Sequence, residues 1–238
     1  MQRYFGEVFE GHAILSEGDV FHLTRVMRAK IATEIEVVSD GRVFLGRVEK
    51  IKPLFVKIQK EIIEDNELKS DVVLIMAPLK GDKMDLVLQK ATELGVFEIV
   101  IISTSRCIVH FKKDEVTHKL ARFQKIIKEA SEQSKRTHIP LISYLNYWND
   151  LSTIRAHHKF IAYEEQSGPS TDFHKYIKQV KKHDRIAIVV GPEGGFSSEE
   201  VDKAKTLKYI PVSLGHRILR AETASIYALS VIANLLEN

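Results

Sequence analysis

Residues 185–201 read RIAIVVGPEGGFSSEEV, and residues 210–236 read IPVSLGHRILRAETASIYALSVIANLL. Each is a short apolar run, broken by glycine and followed by helical spacing. Residues 186–190 are mostly β-branched, which suits a strand buried on both faces of a parallel sheet. The run stops at Gly191-Pro192-Glu193-Gly194-Gly195, where glycine lets the backbone approach a ligand closely. Ser197-x-x-Glu200 reads as a capping box, opening a helix with Val201, Ala204 and Leu207 on one face. Residues 210–214 form a second strand, Gly215 breaks it, and residues 218–224 lead into an apolar helix ending near Leu236. Ligands in open α/β sheets sit beyond the carboxyl ends of strands. Two glycine-broken strand ends this close predict one pocket made from two loops.

Upstream, the same alternation continues from residue 71. Residues 72–77 read as a buried strand, Asp82 as an N-cap, and Met84, Val87, Leu88, Ala91 and Leu94 keep helical spacing up to a stop at Gly95. Residues 98–102 are the next strand. Strand, helix, strand in this order predicts a right-handed crossover and a mostly parallel sheet. The loop Ser103-Thr104-Ser105-Arg106-Cys107 follows a strand end, where function concentrates. Residues 119–134 read as an amphipathic helix, residues 141–144 and 159–163 as strands, and residues 171–182 as a helix with Phe173, Ile177 and Val180 inward. The acids Glu164 and Glu165, on a loop after a strand, read as solvated carboxylates rather than a general base.

Residues 1–70 read as a small β-rich domain. Residues 34–39 and 42–51 are strand-like, with the hairpin signal Asp40-Gly41 between them. Residues 54–60 form a further strand. One short helix is expected, capped by Asp19, with Val20, Leu23 and Met27 apolar and with His22, Arg25 and Arg28 recurring every three residues. This domain carries 11 Lys and Arg against 12 Asp and Glu, so any contact to a polyanion rests on local placement. Residues 104–140 hold 9 Lys and Arg against 4 Asp and Glu, which makes them the best candidate for phosphate contacts. Residues 66–70 are polar and read as the linker.

The 238 residues, 44% hydrophobic and 28% charged, suffice for one large or two modest cores. No apolar run approaches the roughly 20 residues of a membrane span, and residues 1–10 lack the apolar core of a signal peptide. The lone Cys107 rules out an internal disulfide and predicts a reducing, cytoplasmic setting. No Cys/His cluster has zinc spacing, so no metal is expected. A formal charge of +3 is mildly basic and only weakly indicative of a nucleic-acid partner.

GPEGGFSSEEV and SLGHRILRAETA together resemble the C-terminal half of SPOUT-class RNA methyltransferases, and more closely the ribosomal small subunit methyltransferase E family. HLTRVMR, KMDLVLQKATELGV and Glu129-Ala130-x-x-Gln133-Ser134-x-Arg136 carry the resemblance through the rest of the chain. It implies a PUA-like RNA-binding β-barrel over residues 1–70, then an α/β domain over 71–238 with a parallel sheet and a trefoil knot at about 186–236. The implied reaction is methylation of N3 of a uridine in 16S ribosomal RNA, within the small subunit, by S-adenosylmethionine, in a homodimer. The implied cofactor wall is Val190, Gly191, Pro192, Glu193, Gly194 and Gly195 from one loop, with Leu214, Gly215, Ile218, Leu219, Thr223 and Ala224 from the other. His22, Arg25, Arg28, Arg106, Gln133 and Arg136 become RNA-contact candidates, and Lys90, Glu93 and Glu129 become residues near a site or interface.

Chemistry assigns the remaining roles. Uridine N3 carries a proton at neutral pH, so the site must take up that proton and stabilise charge on the ring oxygens. Arg220 is the candidate anion partner, because guanidinium is always charged. Glu222 is a candidate base or a group that orients Arg220, and Thr223 a candidate cap of the last helix. The rival readings are a SPOUT ribose 2′-O-methyltransferase and a non-catalytic RNA-binding factor. A phosphate-binding glycine loop is weaker, because the P-loop lysine is missing.

Overall fold

The structure, a computed structural model, describes residues 1–64, 66–164 and 172–237. The chain forms two compact units, Met1–Glu67 with Ser131–His138, and Leu68–Ala130 with Ile139–Asn238. The first unit is therefore discontinuous in sequence, which a single linker at residues 66–70 does not anticipate.

In the first unit, β1 (Gln2–Phe9), β2 (His12–Leu15), β3 (Glu34–Ser39), β4 (Arg42–Ile51) and β5 (Leu54–Ile62) close into a barrel in the order β1-β2-β5-β4-β3. Closure comes from a parallel β1–β3 pairing; the other neighbours are antiparallel. Asp40 and Gly41 both take positive φ, 49° and 73°, as a tight hairpin turn demands. Tyr4, Leu23, Ile35, Val37, Val48 and Val56 fill the interior.

The short helix departs from expectation. Its N-cap is Ser16, which accepts from the Asp19 N–H, and α1 (Glu17–Phe21) runs on as a π-helical turn over His22–Val26. The wider turn breaks the spacing: Leu23 is buried, whereas Met27 is half exposed. Arg28 lies past the turn with φ +52°, so His22, Arg25 and Arg28 do not form a helical stripe.

The Ser131–His138 segment is held in the first unit by ionic contacts. The Arg3 side chain is fully buried and donates to Glu36 (2.8 Å), Glu64 (2.6 Å) and the Lys135 carbonyl (2.6 Å). Burial raises the Glu36 pKa, but hydrogen bonds from Lys135 and Arg3 outweigh it and hold the carboxyl below its ordinary value. Arg136, 3% exposed, grips Glu67 through Nη2 (2.5 Å) and Nε (3.0 Å). Glu67 also accepts the N–H groups of Thr137 (2.8 Å) and His138 (3.1 Å).

In the second unit, β6 (Val72–Met76), α2 (Asp82–Glu93), β7 (Glu98–Ile102), α3 (Val116–Gln133), β8 (Leu141–Leu145), β9 (His158–Ala162), α4 (Phe173–Ile177), β10 (Ile186–Val190), α5 (Ser198–Thr206), β11 (Ile210–Val212) and α6 (Ala221–Leu236) follow in chain order. The last residues of α3 fall in the first unit. The strands pair in parallel, in the order β11-β9-β10-β6-β7-β8. β6 and β10 are buried throughout, which explains their unbroken apolar sequence. Period-two alternation sends Leu74 and Ile188 to one core and Ile75 and Val189 to the other.

Several boundaries differ from the sequence reading. Gly81, with φ +61°, is the N-cap of α2 in place of Asp82. α3 begins three residues before residue 119. β11 ends at Val212, because the Ser213 hydroxyl bonds both the N–H and the carbonyl of Gly215 and turns the chain. α4 is one short helix capped by Asp172, and past it the chain tightens into three-residue turns at Gln179 and Val180. Residues 165–171, Glu165 and Thr171 among them, lie outside the described residues. Among the described residues, no helix is long and apolar enough to cross a membrane.

Candidate functional site

The carboxyl ends of β9, β10 and β11 converge on one cleft of about 630 Å³, its open mouth included. β9 contributes residues 162–164; β10 and its loop contribute Val190, Gly191, Pro192, Gly195 and Phe196. Residues 213–219 follow β11, and Ala221 and Ala224 come from the first turns of α6. The walls are aliphatic and backbone-rich, with Glu164, His216 and Arg217 as charged or titratable groups.

The glycine loop is fixed from several sides. The Gly195 N–H donates to the Pro192 carbonyl (3.0 Å) and closes a turn. Ser197 and Glu200 form the expected capping box. Glu200 reaches further, because its Oε1 accepts the Ser105 N–H (2.7 Å) while its carbonyl accepts Trp148 Nε1 (3.0 Å). The Trp148 ring packs on Phe196 at 5.4 Å, and a Cβ on Gly191 would stand 3.1 Å from that phenylalanine ring. Arg106 donates to the Gly194 carbonyl (3.3 Å), and a Cβ on Gly194 would stand 3.1 Å from the Arg106 Cβ and carbonyl oxygen, a tight contact. The loop after β7 thus buttresses the loop after β10.

Of the anticipated cofactor residues, Val190, Gly191, Pro192, Gly195, Leu214, Gly215, Ile218, Leu219 and Ala224 line this cleft. Glu193, Gly194 and Thr223 do not. Glu193 turns to Lys83, with Oε1 3.5 Å from Nζ. Gly194 faces Arg106, and Thr223 is exposed on the outside of α6. Thr223 is also not the helix cap; that position belongs to Arg220, with extended φ −64° and ψ 154°.

Arg220 sits between Leu219 and Ala221, which line the cleft; it is exposed and is not ion-paired among the described residues. Glu222 is mostly buried. Its Oε1 lies 3.5 Å from Lys83 Nζ, and its Oε2 is buried without a hydrogen-bond partner among the described residues. Arg220 and Glu222 are not paired with each other.

The RNA-contact candidates divide. Arg25, Arg28, Arg106 and Gln133 are exposed. His22 is partly buried, and its Nδ1 lies 3.0 Å from the Tyr4 hydroxyl. Burial, reinforced by Glu132 and Asp19, pushes the Tyr4 phenol well above its ordinary pKa, so it stays protonated. Arg136 is buried against Glu67 and presents no guanidinium to solvent. Its basic surroundings in sequence gave no hint of that partner 69 residues away.

Sequence reasoning missed Ala162, Tyr163, Glu164, Phe196, Ser213, His216, Arg217 and Ala221 as lining residues. Ala162, Tyr163 and Glu164 reach the pocket because β9 stands between β10 and β11 in the sheet, a placement that no local signal records; the other five lie on the loops and helix start already singled out. Among the described residues, no group of three or more His, Cys, Asp or Glu side chains is placed to hold a metal ion.

Residues 66–233 match the family described as RNA methyltransferase domain, and residues 15–61 match the RNA methyltransferase PUA domain. Ribosomal RNA small subunit methyltransferase E of Bacillus subtilis is 32% identical, covering 98% of this chain and 96% of the relative. Its counterpart numbered 2 in Borreliella burgdorferi is 30% identical over 94% of this chain and 92% of that one. The crystal structure of ribosomal RNA small subunit methyltransferase E from Neisseria gonorrhoeae bound to S-adenosyl methionine superposes with a TM-score of 0.86 at 29% identity, covering 99% of this chain and 98% of that one. With both units matched and near-full-length relatives at 30% identity or more, the chain belongs to the ribosomal RNA small subunit methyltransferase E family.

Proposed function

We propose that this protein transfers a methyl group from S-adenosylmethionine to N3 of a uridine in 16S ribosomal RNA. The reading is carried by one arrangement: a glycine-edged cleft at the strand ends, bordered by an exposed Arg220 and followed two residues later by a carboxylate with an unpartnered buried oxygen. Family membership supplies the class of reaction and of cofactor.

The residues fit the cofactor. Gly195 has φ +67°, and a Cβ there would stand 2.5 Å from Glu164 Oε1, so the cradle has backbone where side chains would otherwise fill it. Val190, Leu214, Leu219 and Ala224 provide apolar wall for a purine ring and for the carbon chain beside the sulfonium. The cofactor supplies a methyl group on positively charged sulfur, which keeps the bonding pair when the methyl leaves.

The chain's residues supply the rest. Glu222 Oε2 accepts the N3 proton as the N3 lone pair forms the new N–C bond. Arg220 donates to a ring carbonyl oxygen, where the negative charge develops. Because the two are not ion-paired, Glu222 is better suited to proton uptake than to orienting Arg220.

The same proposal includes RNA contacts by the barrel over residues 1–70, with Arg25 and Arg28, and by Arg106 and Gln133. It also includes the trefoil knot over about 186–236, a homodimer, and action on small subunits in the cytoplasm. Partial exposure of Leu86 and Tyr227, on helices that pack together, supports a self-association surface there. A monomer at micromolar concentration in light scattering removes the dimer from the proposal.

The test uses labelled S-adenosylmethionine and small ribosomal subunits lacking the modification, followed by digestion and nucleoside identification. Label in 3-methyluridine supports the reading. Label in a 2′-O-methyl nucleoside keeps the fold and overturns the chemistry, and no label together with no cofactor binding keeps the fold and favours a non-catalytic RNA-binding factor.

A further inference from the structure

Lys83 lies in the first turn of α2, outside the cleft, and receives one carboxylate from the loop after β10 and another from the start of α6. Its Nζ is 3.5 Å from Glu193 Oε1, on the loop after β10, and 3.5 Å from Glu222 Oε1, on the second residue of α6. The lysine side chain is 37% exposed, Glu193 24% and Glu222 13%. One ammonium thus serves two anions on separate elements, and the more buried anion keeps its other oxygen, Oε2, without a donor among the described residues. A buried carboxylate oxygen left in this way is costly unless something arrives to bond it.

We propose that Lys83 is a positioning residue of the methyl-transfer site, anchoring Glu222 by Oε1 so that Oε2 remains the acceptor for the substrate proton. The inference rests on the reading of Glu222 given above. Without the anchor, repulsion between Glu193 and Glu222 is unscreened and the helix start is free to turn Glu222 away. Lysine suits the task because its three donors rotate about a compact charge, so it can face two carboxylates that a planar fork would fit less easily. α2 packs against α6, which keeps the anchor and the carboxylate in register.

The experiment compares Lys83→Met, Lys83→Arg, Glu222→Gln and the Lys83→Met/Glu222→Gln double variant. Methyl transfer is measured alongside calorimetric binding of S-adenosylmethionine, and the Glu222 carboxyl carbon resonance is followed in labelled, cofactor-free protein. Lys83→Met is expected to lower kcat by about 10- to 100-fold, the range for misplacing a reacting group. KM for RNA and cofactor affinity are expected to change by less than about twofold, as when only transition-state interactions are lost. The Glu222 resonance should move in Lys83→Met and return part of the way in Lys83→Arg, which also recovers part of kcat. The double variant should be no slower than Glu222→Gln alone.

A Lys83→Met protein with normal kcat overturns the inference. So does an unmoved resonance, or a double variant slower than Glu222→Gln by the full Lys83→Met factor. Failure of the functional reading shows up differently, as the absence of 3-methyluridine in the product of the unsubstituted protein.

Discussion

Replacing Arg136 with alanine should unfold this protein more readily without acting first on RNA. The Arg136 side chain is 3% exposed, and its Nη2 and Nε hold Glu67 at 2.5 and 3.0 Å. Truncation leaves Glu67, 26% exposed, facing only backbone N–H groups and a threonine hydroxyl. Removing one partner of a buried pair costs about 3–5 kcal/mol. Glu67 keeps some water contact, which places the expectation at about 3 kcal/mol. For a chain of this length, Tm shifts by roughly 2–4 °C per kcal/mol, so Tm should fall by about 6–12 °C. Calorimetric melting of Arg136→Ala and of Glu67→Gln measures this, with RNA affinity of the folded protein recorded across a salt series. The opposite pattern refutes the reasoning: Tm within about 2 °C of the unsubstituted protein, with weaker RNA binding and a salt slope shallower by about one. That result would make Arg136 a phosphate contact, as its sequence neighbourhood suggests.

Acid should act through the same carboxylates. Glu36 and Glu67 both sit below the ordinary 4.5 in the folded state, held there by Lys135, Arg3 and Arg136 against the effect of burial. Their contribution is complete above 4.5 and disappears as pH falls through the lower folded values, so the urea midpoint should stay flat from pH 7 to about 5.5 and drop below pH 4.5. A midpoint already declining at pH 6 contradicts this. Gly195→Ala should weaken S-adenosylmethionine binding about tenfold in calorimetry, since the left-handed backbone there, φ +67°, costs an L-residue roughly 1–2 kcal/mol and favours a rearranged turn. Unchanged affinity would show that the turn is not part of the cradle. Arg220→Ala should reduce turnover by at least about 10²-fold with cofactor affinity and Tm unchanged, because Arg220 is exposed and not ion-paired among the described residues; normal turnover sinks its role.

The parts of the fold governed by neighbours in sequence were readable. The glycine stop after Val190, the Ser197 and Glu200 capping box and the Asp40-Gly41 turn depend on a few adjacent residues, and each appears where the pattern places it. The π-helical turn at His22–Val26 was not readable, because helical spacing assumes a fixed number of residues per turn. Half of the cleft was legible for the same local reason. The contribution of β9 was not, since nothing in residues 158–164 records that β11 pairs with β9 and not with β10. Long-range partners were the other loss. Lys83 looks like one more solvated lysine until Glu193 and Glu222 arrive from positions 110 and 139 residues later. Arg136 looks like part of a basic patch until Glu67 is placed beside it.

The discontinuity of the first unit bears on how such a chain can be recombined. A gene cut once at residue 70 and joined to another barrel would carry Ser131–His138 along with the wrong partner. The original barrel would leave with Arg3 buried but without the Lys135 carbonyl and with Glu36 deprived of the Lys135 ammonium. Exchange of this barrel among relatives therefore requires two matched junctions, or coordinated replacement of Arg3, Glu36, Glu67, Lys135 and Arg136 as a set. A grafted barrel should be inherited together with its eight-residue clasp from the middle of the chain.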